Sequence, residues 1–129
     1  MNRLFELSHL LSEQIWITSM IRETMRIYND CDITLIKYRP KFSTLCTIGK
    51  SPFSGTILIE FEPDKYLLEF EAFEVWVYEH STKSYTVESY ARLVYDMLQE
   101  LLSPKSLIVV VDANTIKHGN VSATISSLA

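Results

Sequence analysis

Thr56-Ile57-Leu58-Ile59-Glu60-Phe61-Glu62-Pro63-Asp64-Lys65 is the stretch that decides the fold. Successive side chains of a strand point to opposite faces, so Ile57, Ile59 and Phe61 share one face and Thr56, Leu58, Glu60 and Glu62 the other. Pro63-Asp64-Lys65 has turn chemistry. It leads into Tyr66 to Tyr78, which is aromatic-rich and predicted to be a second long strand forming a hairpin with the first. The alternation changes phase near Ala72-Phe73, which suggests a bulge or a strand buried on both faces.

Working upstream, Ser51-Pro52-Phe53-Ser54-Gly55 has loop composition. Ile33 to Tyr38 reads as a strand rich in β-branched residues, ended by Pro40, and Asn29-Asp30-Cys31-Asp32 as a turn. Leu4, Leu7, Leu11, Ile15, Ile17, Met20, Ile21 and Met25 recur at near-helical spacing, predicting one amphipathic helix to Tyr28, or two with a break. Such a helix packs on its own sheet, or contacts or caps an oligomer.

Downstream, Tyr90, Leu93, Val94, Met97, Leu98, Leu101 and Leu102 form one apolar stripe of a helix over 86–102. Thr86 is its expected N-cap, with Glu88 in the first turn where the dipole favours a carboxylate, and Ser103-Pro104 closes it. Leu107 to Val111 and Asn120 to Ser126 complete the chain as strands. Hairpins flanking a helix favour an α+β fold with an antiparallel sheet.

The 129 residues, 47% hydrophobic and 22% charged, fit one compact domain. Residues 1–28 are expected to be a helical extension and 32–126 the core. A net charge of -4 offers no global attraction to a polyanion, so RNA binding would need a local patch. Lys37, Arg39 and Lys41, with Lys50 nearby in sequence, are the candidate; the alternative is a solvated loop before a strand. Arg3, Glu6, Glu13, Arg22 and Glu23 interrupt the apolar N-terminus, so neither a membrane span nor a cleavable signal is expected. Cys31 and Cys46 are too few for a disulfide framework, which points to a reducing cytoplasm.

Taken alone, the side chains stop short of a reaction. No Gly-rich phosphate loop, nucleophile elbow or metal-spaced His/Cys cluster occurs, and His9, His80 and His118 are scattered. Cys46 after Leu45 reads as a small buried hydrophobe. Glu69 reads as a solvent-facing strand residue and Glu88 as a helix-dipole partner.

From about Asp32 to Ile125 the chain resembles the QueF and QueF-like family of the tunnelling fold. Phe42-Ser43-Thr44-Leu45-Cys46 looks like that family's nucleophile motif, Gly55-Thr56-Ile57 and Pro63-Asp64-Lys65 like its next hairpin, and Leu102-Ser103-Pro104 like its helix end. Cys46, Glu69 and Glu88 fall in the family's register without a gap. The resemblance implies an antiparallel sheet with helices on one face, to which this chain adds an N-terminal helix. It implies a thiolate adding to the nitrile of 7-cyano-7-deazaguanine to give a thioimide, with Cys46 the nucleophile. Glu88 takes the place of the glutamate that binds the guanine-like edge, since paired N–H donors match two carboxylate oxygens. Glu69 takes the place of the residue opening the cofactor motif. It also implies a ring-forming homo-oligomer, such as a decamer of two stacked pentamers, with sites between neighbours.

Three departures bear on the branch. Glu71 and Glu74 stand where the NADPH-dependent reductases carry lysines, turning attraction for phosphate into repulsion. No cofactor is therefore expected. Val87 replaces the family histidine preceding the base-binding glutamate. Phe53 replaces an aspartate expected to be the general acid, a loss ordinarily worth roughly 100-fold to 10,000-fold in rate; Asp64 or Glu69 could substitute. The archaeosine-forming branch lacks the NADPH motif and lets ammonia attack the thioimide in tRNA. It fits these residues better than the reductase of queuosine biosynthesis, and a non-catalytic tunnelling-fold protein is the third reading.

Overall fold

The structure, a computed structural model, describes residues 23–47, 51–115 and 118–127. The N-terminal helix expected from Leu4 falls mostly outside the described residues. Residues 23–24 are helical, but Arg26–Tyr28, which we label β1, is a strand. The remaining elements are β2 (Ile36–Tyr38), β3 (Lys41–Cys46), β4 (Pro52–Glu62), β5 (Tyr66–Leu68), α1 (Phe70–Glu79), β6 (Ser84–Tyr85), α2 (Val87–Leu102), β7 (Ser106–Thr115) and β8 (Gly119–Ser126).

β4 organises the sheet. It pairs antiparallel with β7 over its whole length, and β7 pairs with β8. On its other flank it takes β2 and β3, and β6 joins β3 in parallel. β8 pairs with β7 alone among the described residues, leaving an open edge. The buried side chains Ile57, Ile59 and Phe61 confirm the alternation expected of β4. They meet Leu107, Val109 and Val111 of β7 and the stripe Tyr90, Val94, Leu98 and Leu102 of α2 in one core.

Several expectations are corrected. Pro40 does not end the upstream strand: Tyr38 pairs with Ile59 and Lys41 with Thr56, so β2 and β3 run along β4 in a single register. Pro40 accepts from the Ile57 N–H (2.9 Å) but has no N–H to return, which interrupts the ladder without moving the strand. The strand expected from Ile33 begins only at Ile36, because the Asn29 side chain bonds both the N–H and the carbonyl of Ile33. Residues 52–55, of loop composition, are the first part of β4. Gly55 is required there, since a Cβ would collide with the Asp112 carbonyl of β7.

The larger correction is 66–78. Only Tyr66–Leu68 is extended, and it pairs with β1 in a separate two-stranded sheet, so the hairpin with 56–62 does not form. Glu69 then caps α1, its carboxylate accepting from the N–H groups of Glu71 (3.3 Å) and Ala72 (2.7 Å). The phase change at Ala72-Phe73 is therefore a change from period 2 to period 3.6. Phe73 and Val77 go into the core, Trp76 lies half-buried beside them, and Val75 and Tyr78 stay exposed.

Candidate functional site

Cys46 closes β3 on the face that carries Phe42 and Thr44, the face covered by the helices. It is half-buried. Two strands hold its backbone. Its N–H donates to the Ser51 carbonyl at 2.8 Å, while the N–H groups of Leu45 (3.3 Å) and Thr47 (3.1 Å) donate to the carbonyls of Lys83 and Tyr85. The Thr44 hydroxyl adds a bond to the Lys83 carbonyl at 2.6 Å. Cys46 thus lies directly opposite Tyr85 in the parallel bridge.

The chain passes from Tyr85 straight into α2. Thr86 and Ser89 cap that helix reciprocally: the Thr86 hydroxyl accepts from the Ser89 N–H at 3.0 Å and the Ser89 hydroxyl from the Thr86 N–H at 2.9 Å. A neutral box has done the capping, so Glu88 in the first turn keeps an exposed carboxylate. Cys46 and Glu88 are brought to one corner of the molecule, joined by the short run from Tyr85.

Under that corner lies an aromatic cluster. Tyr90 stacks on Phe42 (centroids 4.8 Å apart), Phe42 meets Phe53 edge-on (5.9 Å), and Tyr85 meets Tyr90 edge-on (5.5 Å). Phe53 is buried opposite Thr44, and Val87 is buried too, so both departures from the family pattern are packed as hydrophobes. The Tyr90 hydroxyl is buried with no hydrogen-bond partner among the described residues. Leaving such a group unpaired costs about 1–3 kcal/mol. Burial, then the nearby Tyr85 phenol, pushes its pKa above the usual tyrosine value; burial also raises that of Tyr85.

Glu69 lies elsewhere. Tyr38 packs against Phe70 (4.4 Å, rings tilted) at the start of α1, whereas the carbonyl of His80, just past its end, lies 3.5 Å from the Thr44 hydroxyl. Glu69 and the strand end bearing Cys46 are therefore at opposite ends of a 10-residue helix, which is about 15 Å long. A single protomer does not bring Glu69 to Cys46. Near Glu69, Tyr38 donates to Glu74 at 3.2 Å, and burial together with Glu74 raises its pKa to about 12.

The first turn of α1 is thus occupied by acids: the Glu69 carboxylate covers its N–H groups, and Glu71 and Glu74 are exposed beside it. These residues do not fit the phosphates of NADPH. In the basic candidate Lys37 bridges Glu60 at 3.7 Å, Arg39 and Lys41 are exposed, and Lys50 lies outside the described residues. Among the described residues no group of side chains has a metal-binding arrangement, and no helix is long and apolar enough to cross a membrane. Sequence reasoning missed a cavity of about 340 Å³ lined by Asn29, Asp32, Glu62, Asp64 and Lys105. It opens at the other end of β4 from Cys46.

No family model matches the chain. Proteins named NADPH-dependent 7-cyano-7-deazaguanine reductase are similar to it. That of Wolinella succinogenes is 32% identical over 97 residues, covering 75% of this chain and 77% of the relative. That of Aquifex aeolicus is 31% identical over 86 residues, 67% of this chain and 65% of the relative. The crystal structure of the archaeosine synthase QueF-like in its apo form superposes with a TM-score of 0.70 at 19% identity, covering 76% of this chain and 97% of that one. At that identity the likeness establishes the fold, which is the tunnelling fold.

Proposed function

The chain belongs to the QueF and QueF-like family, and we propose that within it the protein is an amidinotransferase that forms archaeosine in tRNA. The Cys46 thiol adds to the nitrile carbon of 7-cyano-7-deazaguanine, giving a thioimide. Ammonia then attacks that carbon, a C–N bond forms, the C–S bond breaks, and the thiol is returned as the amidine leaves. Glu88 accepts the paired N–H donors of the base, a charge-assisted contact that its exposure leaves available.

The observation that carries the choice of branch is the acidic first turn of α1. A helix N-terminus ordinarily welcomes phosphate, but here Glu69 has taken the N–H groups of Glu71 and Ala72, and Glu71 and Glu74 add like charge. An NADPH-dependent reductase is the second reading, favoured by the names of the relatives.

Glu69 serves as a pocket carboxylate only in an assembly that sets the α1 N-terminus of one protomer against Cys46 of another. Such an assembly is a ring joined through sheet edges, and the open edge of β8 is suited to it. A thiol nucleophile suits a reducing cytoplasm.

The test is intact-protein mass spectrometry after incubation with 7-cyano-7-deazaguanine, comparing wild type with Cys46→Ala. Wild type should gain the mass of the base and the variant should not. Ammonia with nitrile-bearing tRNA should then yield the amidine with no NADPH consumed. Nicotinamide oxidation would favour the reductase, and absence of any adduct on folded, reduced protein would remove both enzyme readings.

A further inference from the structure

We infer that Tyr85 is a catalytic residue of this site, the proton relay for thioimide formation. The inference rests on the nitrile chemistry proposed above and names a group for which that proposal has no occupant. Addition of sulfur to a nitrile places negative charge on nitrogen, which must be met by a proton. The thiol must lose one in the same step.

The parallel bridge supplies the placement. Residues directly opposite across such a bridge present their side chains to the same face, at the strand spacing of about 4.8 Å. Cys46 and Tyr85 are such a pair. The tyrosine side chain is the longer of the two, so its hydroxyl can reach past a thiol on the same face. A linear nitrile with its carbon at the sulfur can therefore direct its nitrogen to the phenol. Tyr85 is half-buried, and its ring is held edge-on against the buried ring of Tyr90. Burial keeps the phenol in its protonated, donating form.

Of the other polar groups around this face, the Tyr90 hydroxyl is buried beneath Tyr85, and two more are engaged. The Thr44 hydroxyl is given to the Lys83 carbonyl. His80 Nδ1 lies 2.7 Å from the Trp76 carbonyl, and its ring lies against that of Trp76 at 4.1 Å. Phe53 and Val87 bring no protons.

The step balances without a further reactant. The C–S bond forms and one π bond of the nitrile opens. Tyr85 gives its hydroxyl proton to the nitrile nitrogen as the phenol oxygen takes the proton of the Cys46 thiol. The product is a neutral thioimide, and Tyr85 ends as it began.

The experiment is the rate of adduct formation with 7-cyano-7-deazaguanine in wild type, Tyr85→Phe and Tyr90→Phe, read by intact mass. It is paired with the dissociation constant of the base for Cys46→Ala with and without Tyr85→Phe. Tyr85→Phe should slow the adduct by roughly 100-fold to 10,000-fold while leaving base binding unchanged, the signature of an interaction made only in the transition state. Tyr90→Phe, which removes a neighbouring hydroxyl from the same cluster, should keep the wild-type rate. Equal rates in wild type and Tyr85→Phe would overturn the inference and leave the proposed function standing. A loss of base binding matching the loss of rate would make Tyr85 a packing residue and also overturn it. No adduct in wild type would remove the proposed function and this inference with it.

Discussion

The two helix N-termini are built from the same materials and put to different uses. At α1 each oxygen of the Glu69 carboxylate accepts one N–H, from Glu71 and Ala72, so the residue is tied first to its own helix. At α2 the neutral pair Thr86 and Ser89 satisfies the helix, and the exposed Glu88 carboxylate is left facing outward beside the strand end that carries Cys46. A helix that caps itself with an acid closes its end to anions. One that caps itself with hydroxyls can offer its acid to a ligand.

The difference can be tested from both sides. The largest effect is expected at α2: Glu88→Gln should weaken binding of 7-cyano-7-deazaguanine roughly tenfold to 100-fold, as hydrogen bonds to a charged group are worth about 1.5–3 kcal/mol. Its thermal unfolding should shift little, because a dipole contact in an exposed first turn contributes only about 0.3–1 kcal/mol. Isothermal titration and a melting curve on one sample would separate the two. Equal losses in both would mean that Glu88 is a structural cap like Glu69.

At α1 the pattern should invert. Glu69→Ala should lower stability by about 1 kcal/mol through loss of the cap, and Glu69→Asp should restore it, aspartate being a favoured N-cap. Chemical denaturation measures both. A loss of base affinity accompanying Glu69→Ala would show the residue serving a neighbour's pocket as well as its own helix.

The smallest effect concerns Tyr38, which packs beside the same helix end. Its folded pKa, about 12, exceeds the ordinary value of 10.0. The folded state therefore holds a proton that the unfolded chain gives up first. That stabilisation is complete below pH 10 and is lost as pH rises from 10 to 12. Tyr38→Phe should flatten the fall in unfolding free energy over this window, and no change in slope would remove Tyr38 as its source.

What the sequence made legible follows from how local each signal is. α2 and β4 were readable because a stripe at helical spacing and a strict alternation are written in consecutive residues. α1 was not, for two reasons. Tyr66 to Tyr78 is aromatic and β-rich in composition, and glutamate is not among the residues that usually announce a helix start. β3 went unread because Pro40 resembles a stop signal, although strand pairing continues through it in register. At the site, Cys46 and Glu88 were singled out by family register. The separation of Glu69 from Cys46 was not legible, since it depends on the helix now lying between them. Tyr85 carried no signal at all: a strand of two residues is defined only by its partner, and the bridge to Cys46 is a long-range contact.

The open edge of β8 has a consequence of its own. Proteins usually blunt an exposed strand with lysine, proline or a bulge. Gly119-Asn-Val-Ser-Ala-Thr-Ile-Ser126 has neither a charge nor a proline, and it pairs in unbroken register with β7 from Thr115 to Ile108. A chain with this edge uncovered therefore presents an unguarded template for cross-β growth. If the ring proposed above forms through this edge, assembly would also protect the protein against aggregation, and a substitution that merely weakened the ring would be felt first as lost solubility.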